Sequence, residues 1–198
     1  MSQKPFSQAC ENNKAPILSV LSAQFTEPGK VLEIGSGTGQ HAVFFARNLP
    51  FVQWQTSDLQ ENHAGITQWM SEYPGENLLP PIPLNVASNS WDFGEYDGVF
   101  TANTAHIMAW EEVLSMLAGV AKVLKSGGKL VIYGPFNYGG QFTSASNARF
   151  NEWLIEQAPH RAIRDFEAVC DAAAAQGLSF TEDCEMPANN RCLVFTKQ

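Results

Sequence analysis

Val31-Leu32-Glu33-Ile34-Gly35-Ser36-Gly37-Thr38-Gly39-Gln40 decides how the rest of the chain is read. An apolar strand ends in three alternating glycines, and a helix opens directly behind them, from Gln40 to Asn48. Glycine lacks a Cβ and tolerates positive φ, so backbone turns tightly there and meets a ligand with no side chain between. The helix start adds unpaired N–H groups and a partial positive charge. A nucleotide-like or carboxylate-bearing ligand suits this junction. A tight strand-to-helix turn that holds nothing is the competing reading.

The glycine spacing narrows the ligand. A dinucleotide fingerprint needs G-x-G-x-x-G/A, with a small third residue that lets pyrophosphate sit on the helix end. Here the glycines fall at 35, 37 and 39, and Gln40 takes the place of the third small residue. No G-x-x-x-x-G-K-[ST] occurs either. The run E-x-G-x-G-x-G after an apolar strand resembles the first motif of class I S-adenosylmethionine-dependent methyltransferases. In that family the loop packs against the methionine part of the cofactor and needs no phosphate cradle.

Working outward, apolar strand-like runs alternate with helical ones, the pattern of a parallel sheet covered on both faces. Helices are predicted at residues 15–24, 40–48, 65–73, 110–124 and 163–176. Strands are predicted at 30–34, 52–56, 82–86, 96–101 and 129–133, with a closing pair at 179–185 and 192–197. The prolines at 80, 81 and 83 frame the third strand, and the aromatic stretch 134–158 shows little clean strand pattern. The expected fold is α/β: one Rossmann-like, seven-stranded, mostly parallel sheet with an antiparallel C-terminal strand and helices on both faces. Residues 1–198 read as a single domain.

Several rarer segments sharpen the resemblance. Asn13-Lys14-Ala15-Pro16-Ile17-Leu18, Tyr133-Gly134-Pro135-Phe136, Thr143-Ser144-Ala145-Ser146-Asn147, Arg164-Asp165 and Met186-Pro187-Ala188-Asn189-Asn190 accompany the glycine motif. Together they make the chain similar to the methyltransferase-like 26 family of class I methyltransferase homologues. The similarity implies S-adenosyl-L-methionine as cofactor. Two departures stand out. Asn85 replaces an Asp after strand three, and Gln157-Ala158-Pro159-His160-Arg161 differs from the Asp-Pro-x-Trp-Gly run that precedes Ile-Arg-Asp.

On this fold the candidate cofactor residues are Gly35, Ser36, Gly37 and Gly39 in the loop, with Glu33 beneath it. Glu33 would either brace the loop amides or reach the cofactor's ammonium, since a buried carboxylate must be hydrogen-bonded. Asp58, 19 residues after Gly39, could accept hydrogen bonds from the ribose hydroxyls or, with Glu61, cap the next helix. Asn85 and Val86 are placed to meet adenine, with Asn85 alternatively capping a turn. Asn103 follows strand four, at the mouth of the sheet crevice. Asn13 and Lys14 begin the N-terminal helix, where Lys14 could pair with a ligand carboxylate or simply be solvated.

His106 is the candidate general base, with packing beneath the next helix as its structural alternative. Tyr133, Phe136, Asn137, Asn147, Asn189 and Asn190 are candidates for orienting a substrate, although Asn-Asn is also ordinary turn chemistry. His41 reads as tuning the loop, and His63 and His160 as surface residues. Asp92, Glu95 and Asp97 flank a turn, and no metal site is expected.

Composition limits the partners. The chain has 198 residues, 44% hydrophobic and 16% charged, with a net charge of −8. No basic cluster appears, which weighs against a polyanionic substrate such as nucleic acid. Four cysteines at 10, 170, 184 and 192 lack metal-ligand spacing and read as reduced thiols. No apolar run approaches the roughly 18 residues of a membrane span, so a cytoplasmic protein is expected. The expected activity is methyl transfer from S-adenosylmethionine to a small-molecule acceptor. The alternatives are a non-catalytic S-adenosylmethionine sensor or partner-binding protein, a nicotinamide oxidoreductase and a nucleic-acid methyltransferase.

Overall fold

The computed structural model describes residues 4–88 and 90–198. Its first half runs α1 (Gln8–Gln24), β1 (Gly29–Ile34), α2 (Gln40–Asn48), β2 (Val52–Asp58), α3 (His63–Met70), β3 (Leu78–Pro83) and β4 (Tyr96–Ala102). The second half runs α4 (Trp110–Val123), β5 (Leu124–Gly134), β6 (Phe136–Asn137), α5 (Ala145–Gln157), β7 (Arg164–Asp165), α6 (Phe166–Ala174), β8 (Leu178–Met186) and β9 (Asn190–Lys197). Seven strands make one sheet in the order β3-β2-β1-β4-β5-β9-β8. The first five are parallel, and β9 runs against both of its neighbours. Strands β6 and β7 form a separate parallel pair.

The central strands bury both faces, because alternate residues feed two hydrophobic layers. Leu130 and Ile132 join Leu32, Ile34, Leu193 and Phe195 against α4 and α6, through Val113, Met116, Val120 and Val169. Val131 and Tyr133 join Val31, Cys192 and Val194 on the opposite face, against Ile17 and Leu21 of α1 and Phe45 of α2. There Phe45 meets Phe100 edge-on at 5.4 Å, and Trp54 packs on both rings. Each such side chain, fully buried, contributes about 1.5–3 kcal/mol. This packing fixes the strand ends that carry the site.

Three segments differ from the sequence-based expectation. Helix α1 begins at Gln8, capped by the Ser7 hydroxyl, which accepts from Cys10 N at 3.3 Å. Asn13 and Lys14 therefore lie inside the helix, where Pro16 removes one intrahelical hydrogen bond and crowds the carbonyl of Asn12. Strand β3 covers Leu78–Pro83 rather than 82–86. It pairs only with β2, so as an edge strand it can carry three prolines whose missing N–H groups would break a central strand. Asn85 and Val86 consequently sit in the loop beyond it. The third difference is α5, inside a stretch with no expected element. It buries only Asn147 and Leu154, too narrow an apolar stripe to signal a helix, but Ser144 caps it by accepting from Asn147 N at 3.1 Å. Among the described residues no helix is long and apolar enough to cross a membrane.

Candidate functional site

The strand order reverses between β1 and β4, and the loops after these strands open a crevice at their C-terminal ends, where ligands bind in open α/β sheets. Gly35, Gly37 and Gly39 have φ of 71°, 55° and 89°. At Gly35 an added Cβ would lie 2.8 Å from Thr104 Cγ2, and at Gly39 one would lie 3.0 Å from Ile66 Cα. Gly35 is thus needed for the close approach of the β1 and β4 loops, and Gly39 for seating α2 on α3.

A cleft of about 420 Å³ lies under this loop, floored by Gly35 and Gly37. Asp58 forms one wall. Its Oδ2 accepts from Gly37 N at 2.7 Å, and its Oδ1 accepts from Leu59 N and Asn62 Nδ2, both at 2.7 Å. The carboxylate therefore ties the end of β2 to the glycine loop while lining the cleft. Leu84, Asn85 and Val86 line the far end, and Asn85 Oδ1 accepts from Ala87 N at 3.0 Å, closing the turn. Ile107 and Met108 form an apolar side opposite.

Glu33 braces the loop from below. It is fully buried, accepting from Ser36 Oγ at 2.9 Å and Trp54 Nε1 at 3.1 Å. Burial, with the Asp58 charge adding to it, pushes its carboxyl up to about 7 against the pull of those two donors. Glu33, Ser36 and Gly39 are not among the residues lining the cleft. Gln40 binds the N-terminal segment instead, donating to Glu11 Oε1 at 3.0 Å and accepting from Ser7 N. The helix start on which a pyrophosphate would sit is thereby covered by the chain's own strap. Lys14 pairs with Glu11 and packs over Phe44, and it lines neither cleft described here.

A second cleft, of about 410 Å³, adjoins the first at Asn103, which lines both. Asn103 holds φ of 57°, and its N–H donates to the Tyr133 carbonyl at 2.9 Å. A non-glycine residue in the left-handed region stores strain and marks candidate sites. Asn13, Tyr133, Asn147, Phe150 and Asn190 line the second cleft. Asn13 joins Tyr133 to His41, whose Nε2 lies 2.7 Å from Asn13 Oδ1. Burial holds His41 down to about 4, so it is neutral near pH 7.

The remaining candidates are structural in placement. Phe136 is buried in the core beside α4 and α6, and Asn137 donates to the Ile163 carbonyl at 3.5 Å while its Oδ1 has no partner. Asn189 borders a neighbouring surface hollow and donates to Ser146 Oγ at 3.3 Å. His106 is buried behind Phe150, edge-on at 5.4 Å, and lines neither cleft. Burial first, then the charges of Arg164 and Arg161, lower it to about 4. Arg164 itself clamps the turn after β4, donating to the carbonyls of Ala105 and His160 at 3.0 Å and to that of Met108. His63 is half-buried, 3.0 Å from the Asp58 carbonyl oxygen. Asp97 takes Lys125 at 2.7 Å and Lys30 N at 2.8 Å, away from both clefts. Sequence reasoning gave Asn62 and Ser146 no place in the site, and of the two only Asn62, four residues after Asp58, carried a local signal.

Solved structures share this architecture. An O-methyltransferase family protein from Burkholderia thailandensis superposes with a TM-score of 0.83 at 17% identity, covering 93% of this chain and 56% of that one. An O-methyltransferase family 2 protein from Planctomyces limnophilus, solved with apigenin, gives 0.84 at 14%, covering 96% and 58%. Human N-acetylserotonin methyltransferase, solved with S-adenosylmethionine, gives 0.82 at 15%, covering 96% and 53%. The chain thus spans little more than half the length of these structures, and at such identities the likeness is one of fold. The family model of DUF938, described as proteins of unknown function, matches residues 4–197. With nearly the whole length matched, the chain belongs to the DUF938 family.

Proposed function

We propose that this protein binds S-adenosyl-L-methionine in the cleft under the glycine loop and transfers its methyl group to a small molecule held in the second cleft. The finer family likeness, to the methyltransferase-like 26 proteins, belongs to the same reading. The observation that carries it is the meeting of the two clefts at Asn103: glycine backbone, apolar side chains and the carboxylates of Asp58 and Glu112 frame one, and uncharged polar side chains frame the other.

The residues present fit the cofactor. Gly35 and Gly37 leave room for its methionine part, and Leu84, Val86 and Met108 offer apolar surface to adenine beside the Asn85 amide. A carboxylate has about four acceptor sites. Three on Asp58 are taken, so one ribose hydroxyl fits on Oδ2, and Asn62 must release Oδ1 before both can be held. Held by these residues, S-adenosylmethionine would supply an electrophilic methyl group for the acceptor's lone pair, with S-adenosylhomocysteine as the leaving group. The acceptor's proton leaves to water or a base. This chain's part is positioning and exclusion of water, which is most of what such a displacement needs.

One observation favours a second reading, a protein that binds the cofactor without turning it over. His106, the candidate base, is buried, lowered to about 4 and so weakly basic, and it lines neither cleft. Calorimetric titration with S-adenosylmethionine, S-adenosylhomocysteine and NAD tests the shared part. Micromolar binding of the first two and none of NAD is expected, and silence from both sulfur ligands overturns both readings. Release of S-adenosylhomocysteine over a panel of small acceptors then separates enzyme from binder.

A further inference from the structure

We infer that the second cleft selects an uncharged ligand of the aromatic amide type, whose carbonyl oxygen accepts from the Tyr133 hydroxyl and whose N–H donates to Asn147 or Asn190. Calling this ligand the methyl acceptor rests on the reading above; the ligand class itself rests on the cleft.

The lining carries no Asp, Glu, Lys, Arg or His. Its polar groups are amides and hydroxyls, set among Ala9, Pro135, Phe150 and Pro187. An ion moved from water into such surroundings finds no opposite charge and loses several kcal/mol of hydration. A neutral molecule that can hydrogen-bond loses far less.

The direction of each hydrogen bond can be worked out. Neutral His41 has one N–H; in the Nε2-protonated tautomer it goes to Asn13 Oδ1 at 2.7 Å, and in the other it goes to the Cys10 carbonyl. In the first tautomer Asn13 turns its NH₂ to Tyr133, and the phenol keeps its own proton to donate. Burial raises the Tyr133 phenol, keeping it protonated. Two further amides of the lining are oriented the other way. Asn147 spends its NH₂ on Thr143 Oγ1 at 3.0 Å and the Asn189 carbonyl at 3.2 Å. Asn190 spends its own on the carbonyls of Pro187 at 3.1 Å and Ala188 at 3.3 Å. Both keep an oxygen to accept. With the Tyr133 hydroxyl as a donor and these two oxygens as acceptors, the lining can meet both ends of an amide, and Phe150, backed by Trp153 at 5.7 Å, gives a ring a flat wall.

The test compares benzamide, benzoate and benzylamine by saturation-transfer NMR on the whole protein, with and without S-adenosylhomocysteine. Benzamide is expected to bind at least about tenfold more tightly than either ion, and Tyr133→Phe to weaken it about tenfold with the far-UV circular dichroism spectrum unchanged. Ser146→Lys, at the cleft edge, should bring in benzoate. Benzoate or benzylamine binding as tightly as benzamide, benzamide indifferent to Tyr133→Phe, or no binding by any probe overturns the inference. If the benzamide pattern holds while S-adenosylhomocysteine fails to bind, the methyltransferase reading falls and the ligand class stands. If the cofactor binds while the pattern fails, only the ligand class falls.

Discussion

The cleft under the glycine loop and the cleft beside Tyr133 share Asn103, yet they are made of different material. The floor of the first is backbone: glycines in the left-handed region, and loop amides held by Asp58 and by the Ser57 carbonyl, which accepts from Gly35 N at 3.0 Å and Ser36 N at 2.9 Å. Its sides come from the segments that end or follow β2, β3 and β4. The second is built from side chains that arrive on α1, β5, α5 and the 187–190 turn. A backbone site has few tolerated substitutions, because each one moves the loop itself. A side-chain site can be retuned while the sheet beneath it stays intact.

The sharpest way to break this contrast is Gly35→Ala. Positive φ costs a Cβ-bearing residue about 1–3 kcal/mol, and the methyl would also meet Thr104 Cγ2 at 2.8 Å. Loss of stability together with loss of cofactor binding is expected in thermal melts and calorimetry, and adding Thr104→Ser should restore part of both. A stable, ligand-competent Gly35→Ala protein would mean the loop is not built as described. Next in size, Asp58→Ala should weaken S-adenosylhomocysteine binding by roughly 1.5–3 kcal/mol, the range for a hydrogen bond to a charged group. Unchanged affinity would remove Asp58 from the site. Asn147→Ala, by contrast, should leave cofactor affinity within about twofold while reducing retention of small aromatic amides, since it touches only the second cleft.

The pH dependence separates the regions again. His41 and His106 are lowered from 6.5 to about 4, so between these values the unfolded chain binds more protons and stability falls as pH drops. Glu33 is raised from 4.5 to about 7, so the folded chain binds the extra proton there and gains stability on acidification. Two groups oppose one. The melting temperature should fall from pH 6.5 to pH 4.5, more steeply in Glu33→Gln, which should also be the more stable protein at pH 8. A melting temperature that rises on acidification would contradict the burial of both histidines. The smallest expected effect belongs to Asn62→Ala, which frees Asp58 Oδ1 and should tighten cofactor binding a few-fold in calorimetry. Weaker binding would place the Asn62 amide itself on the ligand.

Much of the first region was legible in the chain. The strand–glycine–helix run, the carboxylate ending β2 and the residue after β4 are close-range signals, because glycine spacing and strand termini express local steric rules. Glu33 shows how far that legibility reaches. The sequence marks a carboxylate in an apolar strand, but Trp54 and Ser36 as its partners emerge only when β2 lies beside β1. Helix α5 was hidden because helix patterns announce an apolar face, and this one buries little. The shift of β3 was hidden for the opposite reason. Proline punctuates sequence strongly, but an edge strand tolerates it.

By itself the sequence determined the α/β alternation, the seven strands with their closing hairpin, and the position of the glycine loop. Hydrophobic periodicity and backbone sterics act within a few residues and need no knowledge of neighbours. Only the tertiary structure decided that Asn13 faces Tyr133 rather than the loop, that His106 lies behind Phe150, and that the second cleft carries no charge. Those facts depend on which distant side chains the packing of α1 and α5 against the sheet brings within hydrogen-bond reach. No local pattern encodes a contact between residues 13 and 133.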